Sequence, residues 1–447
     1  MGTRAFSRSF SEVSRSLAGL LLAAGAAHGA DIVATPADYL PQVRRLQAGD
    51  TLWLAPGDYT QGLPIVGLRG SAALPIRIRA RTADQRPRFL AQSGRNTISI
   101  VDAEYVEVSD LDLDGAGLPV DAVKAEGHAR FAHHITLEGL RIVGHGFHQQ
   151  NVGISTKCPA TGWVVRGNEI VGAGTGMYFG NSDGSAPFVA GLIERNVVRD
   201  TLGYNLQIKH QKVRPAGVGL PTGASVTVIR HNVLSKANNG ALREFARPNL
   251  LVGHWPPSGD GADDTYLIHG NVFFANPTEA LFQGEGNIAL YGNLFLNPEG
   301  AAVRIQPHNG RPDRIDIFFN TVFARTDGIR VVGGNPAHRQ QVWGNAIFAG
   351  AAAAGWDPRD NLAGALDEAS AYVERFDPAL TLLDPRPTAS MLRAEIRDAA
   401  AQRLYPDSAE DLCGHPRGVV AVGAFAAAPT PPHFPLRKRP LREPFCP

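Results

Sequence analysis

Apolar and polar residues alternate over short segments along the middle of the chain, with a period of two and no sustained helical period. W-V-V-R at Trp163–Arg166 and T-Y-L-I-H at Thr265–His269 are examples, and a short phrase containing asparagine follows each of them. The period of two predicts strands with one buried face. The phrase recurs at intervals of 22 to 39 residues, at Asn168, Asn196, Asn232, Asn271, Asn293, Asn320 and Asn345.

Repeated strands of this kind predict an all-β fold, a single-stranded right-handed parallel β-helix in which each interval forms one coil of a solenoid. An antiparallel sandwich would show a hairpin dipeptide such as Asn-Gly at each strand end, and few are present. Asparagine tolerates the left-handed backbone of a sharp corner, and stacked corners allow the amides to bond to one another. The repeated asparagines are therefore expected to be structural corners rather than ligands.

The ends of such a solenoid need caps, because an open coil exposes unpaired strand edges. The segment from Pro36 to Leu46 predicts a short amphipathic helix that forms the N-terminal cap. The phrase repeat stops at Phe348. We therefore expect the β-helix over 31–348 and a C-terminal cap with a Pro-rich tail over 349–447.

Residues 1–30 have the order of a signal peptide: arginines, then an apolar run from Leu17, then small residues up to Ala30. We expect a secreted or periplasmic protein. No later apolar run is long enough to span a bilayer, so no membrane contact is expected of the mature chain. Export allows disulfides, and Cys413 is expected to pair with Cys446, whereas Cys158 is expected to be a small buried apolar residue.

Charge is balanced, with 43 Lys and Arg against 42 Asp and Glu, which argues against nucleic acid as a partner. Any anionic partner must therefore bind to a local patch of positive charge. The protein is expected to be a monomer.

Such a patch is predicted on the second strand of each coil, where equivalent outward side chains stack about 4.8 Å apart. Y-N-L-Q-I-K-H-Q-K at Tyr204–Lys212 buries Leu206 and Ile208 and turns Gln207 and Lys209 outward. G-A-L-R-E-F at Gly240–Phe245 is expected to form the next strand of this column. The predicted column and its flanking loops contain Tyr178, Asn181, Gln207, Lys209, His210, Lys212, Arg243, His254, Trp255, Gln283, Glu285, Arg304, Gln306 and His308.

A-G-D-T-L-W-L-A-P-G-D-Y at Ala48–Tyr59 resembles the entrance of the chondroitinase B and alginate lyase group, the polysaccharide lyase family 6-like β-helix enzymes. In that group a lysine on one coil and an arginine on the next form the catalytic pair. Lys209 and Arg243 match these positions. The resemblance implies an anionic polysaccharide as substrate. From their chemistry and their place in the column and loops, the remaining residues are expected to bind it, with Trp255 either against a sugar ring or holding its own loop.

The implied reaction is β-elimination in a uronate-containing, alginate-like or glycosaminoglycan-like polysaccharide. Lys209 is the expected base if cations such as His210, Lys212 and Arg243 lower its pKa, and Arg243 is the expected charge stabiliser. Tyr178 and His308 are candidate acids. The group commonly binds Ca²⁺ through an E-x-E pair before the lysine, but Leu202 and Tyr204 stand here, so no metal or other cofactor is expected.

Other functions remain open. A pectinase-type hydrolase would need clustered carboxylates, for which Asp260, Asp263 and Asp264 are the candidates. A polyuronate C5-epimerase would share the removal of a proton. A noncatalytic carbohydrate-binding or surface β-helix protein would use the same polar column only to bind a glycan.

Overall fold

A computed structural model describes residues 29–82, 84–354, 361–389, 391, 403–417 and 422–426. Its strands pair in parallel with the coils before and after, and they form three long faces. This pairing confirms the predicted all-β parallel β-helix. The expected signal peptide lies almost entirely outside the described residues, as does Cys446, so the disulfide to Cys413 remains a prediction. Cys158 is buried in the apolar core, as expected.

Face 1 begins with the first strand of the structure and carries the strand that precedes each asparagine corner. Its strands are Asp31–Ala34, Thr51–Leu54, Ile76–Ala80, Ala103–Ser109, Ala132–Glu138, Ala160–Thr161, Val164–Arg166, Phe188–Val189, Leu192–Glu194, Val226–Arg230, Thr265–His269, Ile288–Tyr291, Ile315–Phe318 and Gln340–Trp343.

Face 2 follows the corner and extends past residue 348, where the sequence repeat stops. Its strands are Gly57–Tyr59, Pro87–Leu90, Asp112–Asp114, Arg141–Val143, Glu169–Val171, Val197–Arg199, Val233–Ser235, Val272–Phe274, Leu294–Asn297, the first parts of Thr321–Val331 and Ala346–Ala354, and Leu362–Gly364.

Face 3 completes each coil and carries the polar column. Its strands are Leu63–Val66, Ile98–Val101, Val123–Ala125, Val152–Thr156, Thr175–Phe179, Leu206–Ile208, Leu250–Val252, Phe282–Gly284, Val303–Ile305 and the second parts of Thr321–Val331 and Ala346–Ala354.

The corners between faces 1 and 2 hold a continuous ladder of asparagine side chains, all of them buried except the last. Each Nδ2 donates to the Oδ1 of the next asparagine, as from Asn271 to Asn293 over 3.0 Å, and also to carbonyl oxygens of the preceding coil. The ladder joins Asn168, Asn196, Asn232, Asn271, Asn293, Asn320, Asn345 and, beyond the predicted set, Asn361. The prediction that these asparagines are structural corners is confirmed.

The short helix Tyr39–Val43 lies at the N-terminal end, where Tyr39 and Val43 are buried and the Tyr39 hydroxyl donates to the Gly62 carbonyl. The C-terminal part contains the 3-10 helices Leu366–Ala371 and Pro406–Ala409 and an antiparallel pair, Val373–Arg375 with Asp384–Pro387. No helix in the described parts of the chain is long and apolar enough to cross a membrane.

Candidate active site

A pocket of about 310 Å³ opens on face 3, over three successive coils. Its floor is formed by the strands Leu206–Ile208, Leu250–Val252 and Phe282–Gly284, which pair in register. Residues of these strands and of the loops before and after them line the pocket. The polar lining residues are Tyr204, Gln207, Lys209, His210, Arg247, Glu279, Gln283, Glu285, His308 and Asn309.

Lys209 follows the strand that buries Leu206 and Ile208, and its half-buried side chain lines the pocket. Burial lowers the pKa of Lys209, while the negative charge of Glu285 raises it. We expected neighbouring cations to lower this pKa, and that explanation is wrong, because withdrawal from water is the main cause. The charge of Lys209 instead affects His210, whose pKa is lowered mainly by burial and next by that charge.

Arg243 does not lie on a strand of the column, so its predicted place beside Lys209 is wrong. It begins the exposed 3-10 turn Arg243–Phe245 with a φ of 55°, and it does not line the pocket. The strand that pairs with Leu206–Ile208 is Leu250–Val252, which places Gly253 beside Lys209. The chain leaves the coil after Val233–Ser235 and returns only at Asn249, whose Nδ2 donates to the Leu234 carbonyl over 3.0 Å.

Arg247 is the arginine that lines the pocket, although the sequence did not predict it there. Its carbonyl oxygen accepts hydrogen bonds from the Lys236 ammonium at 2.6 Å and from the Asn276 amide at 2.9 Å. Lys236 is almost fully buried, and burial lowers its pKa to about 7. The short apolar run L-L-V at Leu250–Val252 could have indicated the true strand and hence the arginine shortly before it.

Glu285 was expected to bind substrate, but its carboxylate holds a loop instead. It is buried and accepts hydrogen bonds from the backbone N–H groups of His308, Asn309 and Gly310, at 2.8 to 3.1 Å. Gln283 donates to Glu279 over 2.6 Å. Through these bonds Glu285 places His308 at the pocket, and its charge remains close enough to act on Lys209.

Trp255 is not a platform for a sugar ring. Only 2% of its surface is exposed, and it stacks on Tyr266 with ring centroids 4.2 Å apart inside the apolar core. The loop therefore folds its aromatic residue inward, where the area buried is largest. His254 from the same loop contacts the Arg311 carbonyl over 3.1 Å and does not line the pocket.

The other predicted binding residues lie outside the pocket lining. Asn181 accepts the Ser182 N–H within a turn, and Lys212 is exposed. Arg304 contacts Asp327 at 3.4 Å. Gln306 contacts His308 at 3.4 Å. Tyr178 lies one coil before Gln207, under the Lys157 ammonium, which is 3.4 Å from its ring centroid.

Two of the three carboxylates considered for glycoside hydrolysis, Asp260 and Asp264, are occupied by other contacts. Asp264 forms a buried ion pair with Arg214, and Asp260 accepts the Gly223 N–H over 3.3 Å. In the described parts of the chain, the group with metal-ligand geometry is Asp411, Cys413 and His415, in the C-terminal segment. Asp411 there accepts the backbone N–H groups of Cys413 and His415.

No protein-family model matches the chain, and no curated protein sequence does. In structure it is similar to the alginate lyase from Paenibacillus sp. str. FPU-7, with 16% identity and a TM-score of 0.40 over 62% of this chain and 98% of that one. It is also similar to pectate lyase Pel9A, with 12% identity and a TM-score of 0.48 over 89% and 96%.

A mutant of the PL6 family alginate lyase AlyGC shows 15% identity and a TM-score of 0.46 over 74% of this chain. The match covers 50% of AlyGC, so the chain corresponds to half the length of that enzyme. At these values each likeness is one of fold and assigns no activity.

Proposed function

We propose that the protein is a polysaccharide lyase that cleaves a uronate-containing polysaccharide by β-elimination, with Lys209 as the base. The observation that carries this proposal is the state of the Lys209 side chain. Its ammonium lines a polar pocket, has a pKa lowered by burial, and forms no ion pair or hydrogen bond with any described residue. A lysine in this state is available to take a proton from a bound ligand.

Arg247 replaces Arg243 as the charge stabiliser in this proposal, because Arg247 lines the same pocket as Lys209. The neutral amine of Lys209 removes the proton at C5 of the uronate, and the electron pair moves into the adjacent carboxylate. The guanidinium of Arg247 and the amide of Gln207 stabilise the charge that develops there. Arginine is suited to this role because it presents a fixed fork of donors to a carboxylate.

The elimination is completed when the C4–O4 bond breaks, a C4–C5 double bond forms and the leaving O4 takes a proton. Tyr204 is the proton donor in this proposal, because it lines the pocket and burial raises its pKa, which keeps the phenol protonated. Of the two acid candidates from the sequence, Tyr178 does not line the pocket, whereas His308 does and is the second candidate for the donor. No step requires a metal ion.

A hydrolase is less well supported by the same pocket. It would need two available carboxylates, and the pocket offers Glu279 and Glu285. Both oxygens of Glu285 already accept backbone N–H groups, and Glu279 accepts the Gln283 amide. A C5-epimerase would use the same base, so the reaction product has to separate it from a lyase.

The test is an assay of the purified protein on polymannuronate, polyguluronate, polygalacturonate and glycosaminoglycans. A lyase produces an unsaturated sugar that absorbs in the ultraviolet, an epimerase changes the uronate composition without cleavage, and a binder does neither. Lys209→Ala and Lys209→Arg should each lower the cleavage rate by about 10²- to 10⁴-fold while the melting temperature stays unchanged.

Lys212→Ala is the matched control, since Lys212 is an exposed lysine outside the pocket lining. It should cleave like the wild type. If Lys209→Ala cleaves every substrate as fast as the wild type, Lys209 is not the base and the mechanism is wrong.

A further inference from the structure

Lysine and glycine alternate along face 3 at the column position of Lys209. The register pairs Ser155 with Tyr178, Tyr178 with Gln207, and Gln207 with Leu251 on successive coils. Two residues after each of these stand Lys157, Gly180, Lys209 and Gly253. Since neighbouring coils are about 4.8 Å apart, the backbones of Lys157 and Lys209 are separated by about 10 Å, with only a glycine between them.

Gly180 is needed at this position. Its φ is +92°, and an added Cβ would lie 3.4 Å from the Cβ of Lys209 and 3.3 Å from the Ala186 carbonyl oxygen. A larger residue would be strained and would crowd the Lys209 side chain. The glycine therefore leaves the two lysines as the side chains that project from this part of the column.

The Lys157 ammonium is held in place by an aromatic ring rather than by a carboxylate. It lies 3.4 Å from the ring centroid of Tyr178, whose hydroxyl contacts the Ser182 hydroxyl at 3.1 Å. The pKa of Lys157 is lowered to about 8, mainly by burial and in part by the charges of Lys124 and Lys209, while the charge of Asp121 opposes the shift. Among the described residues, neither the Lys157 nor the Lys209 ammonium has an ion pair or a hydrogen bond.

Lys124, on the same face, is instead paired with a carboxylate. It lies one coil before the strand of Lys157, and its ammonium contacts Asp121 at 3.3 Å. The Lys157 ammonium has no such partner among the described residues, so the carboxylate of an anionic ligand would offset the cost of its burial.

We propose that Lys157 and Lys209 form a two-point site for an acidic oligosaccharide with a carboxylate on more than one sugar unit. In this site Lys157 binds the carboxylate of a unit beside the one that reacts at Lys209. The inference rests on the proposed function for the role of Lys209, and it narrows the substrate class to polymers with repeated uronate units. The Tyr178 ring fixes the Lys157 ammonium and so reduces the entropy lost on binding.

The experiment measures binding separately from cleavage. Lys209→Arg serves as the parent, because arginine keeps a long side chain with N–H donors at this position but is too weak a base to react. Calorimetry on the full chain follows the binding of saturated mannuronate, guluronate and galacturonate oligomers of one to four units. Adding Lys157→Met should weaken trimer binding by about tenfold and leave monomer binding unchanged. Adding Lys157→Arg should keep trimer binding.

Lys124→Met in the same parent is the matched control and should bind the trimer like the parent, with melting curves confirming that each variant is folded. Equal trimer binding by the parent and its Lys157→Met variant would overturn the inference, as would the absence of oligomer binding by the parent. If Lys157 controls binding but the wild type cleaves none of the polymers, the two-point site stands and the lyase proposal fails.

Discussion

The Lys236 ammonium donates a hydrogen bond of 2.6 Å to the carbonyl oxygen of Arg247, and this bond ties a buried lysine to the arginine of the pocket. Asn276 donates to the same oxygen over 2.9 Å. Lys236 does not line the pocket, so it acts on a ligand only through the position of Arg247. It is a positioning residue in the proposed mechanism.

Lys236→Met should raise KM for the substrate by up to about tenfold, because one of the two bonds that hold the Arg247 backbone is lost. The turnover number should fall as well, because a displaced Arg247 stabilises the developing carboxylate charge less well. Steady-state kinetics on the polymer identified in the cleavage assay provide the measurement. Unchanged KM in a folded variant would show that Asn276 alone fixes Arg247.

The stability of the protein should rise with pH between about 7 and 10.5 through Lys236. Burial lowers the folded-state pKa of Lys236 to about 7 from the usual 10.5, so the unfolded chain binds more protons in this window. Below pH 7 the lysine is protonated in both states, and the cost of burying its charge is fully present. Urea unfolding at pH 7 and pH 9 should show a smaller gain in Lys236→Met than in the wild type.

Arg247→Ala and Arg243→Ala should separate the pocket arginine from the exposed one. Arg247→Ala should reduce kcat/KM by about a hundredfold or more, because the developing carboxylate charge loses its stabiliser. Arg243→Ala should leave kcat/KM within about twofold, because Arg243 is exposed and outside the pocket lining. A larger loss in Arg243→Ala than in Arg247→Ala would support the Lys209–Arg243 pair that the sequence predicted.

Asn271→Ala should destabilise the protein by about 3 kcal/mol or more, because it leaves several buried backbone groups without partners. The Asn271 amide donates to Ile229, His269 and Asn293, and its oxygen accepts from Asn232. Urea unfolding provides the measurement.

Asn361→Ala is the comparison at the end of the ladder, where the side chain is only partly buried and donates to the Val342 carbonyl over 2.9 Å. It should cost about 1 kcal/mol. Equal losses in the two variants would mean that position in the ladder does not matter.

The fold was predictable because the asparagine phrase repeats the same local contacts on every coil. Asn196 and Asn232 each bond to the next asparagine at 2.9 Å, so the pattern in the sequence is the pattern of the ladder. The placement of Lys209 followed from an alternation over a few residues, which buries Leu206 and Ile208 in the core, although Gln207 between them is also buried. Both are consequences of interactions that a short segment determines for itself.

The site arginine was not predictable in the same way. Lys236 and Asn276 hold Arg247 through hydrogen bonds to its carbonyl oxygen. These bonds form only because the chain leaves one coil after Lys236 and returns to the next. G-A-L-R-E-F matched a family pattern but lies within that excursion. Trp255 was wrongly predicted to contact a sugar ring, because the sequence of a loop does not show whether its aromatic residue packs into the core.

The asparagine ladder keeps the same corner geometry in coils that contain different numbers of residues. Asn232 and Asn271 are 39 residues apart and Asn271 and Asn293 are 22 apart, yet their side chains bond at 2.9 and 3.0 Å. Loops between corners can therefore lengthen or be exchanged during evolution without altering the scaffold that supports them. A designer could graft a different loop between Lys236 and Asn249 to change what the pocket recognises and leave the asparagine ladder unchanged.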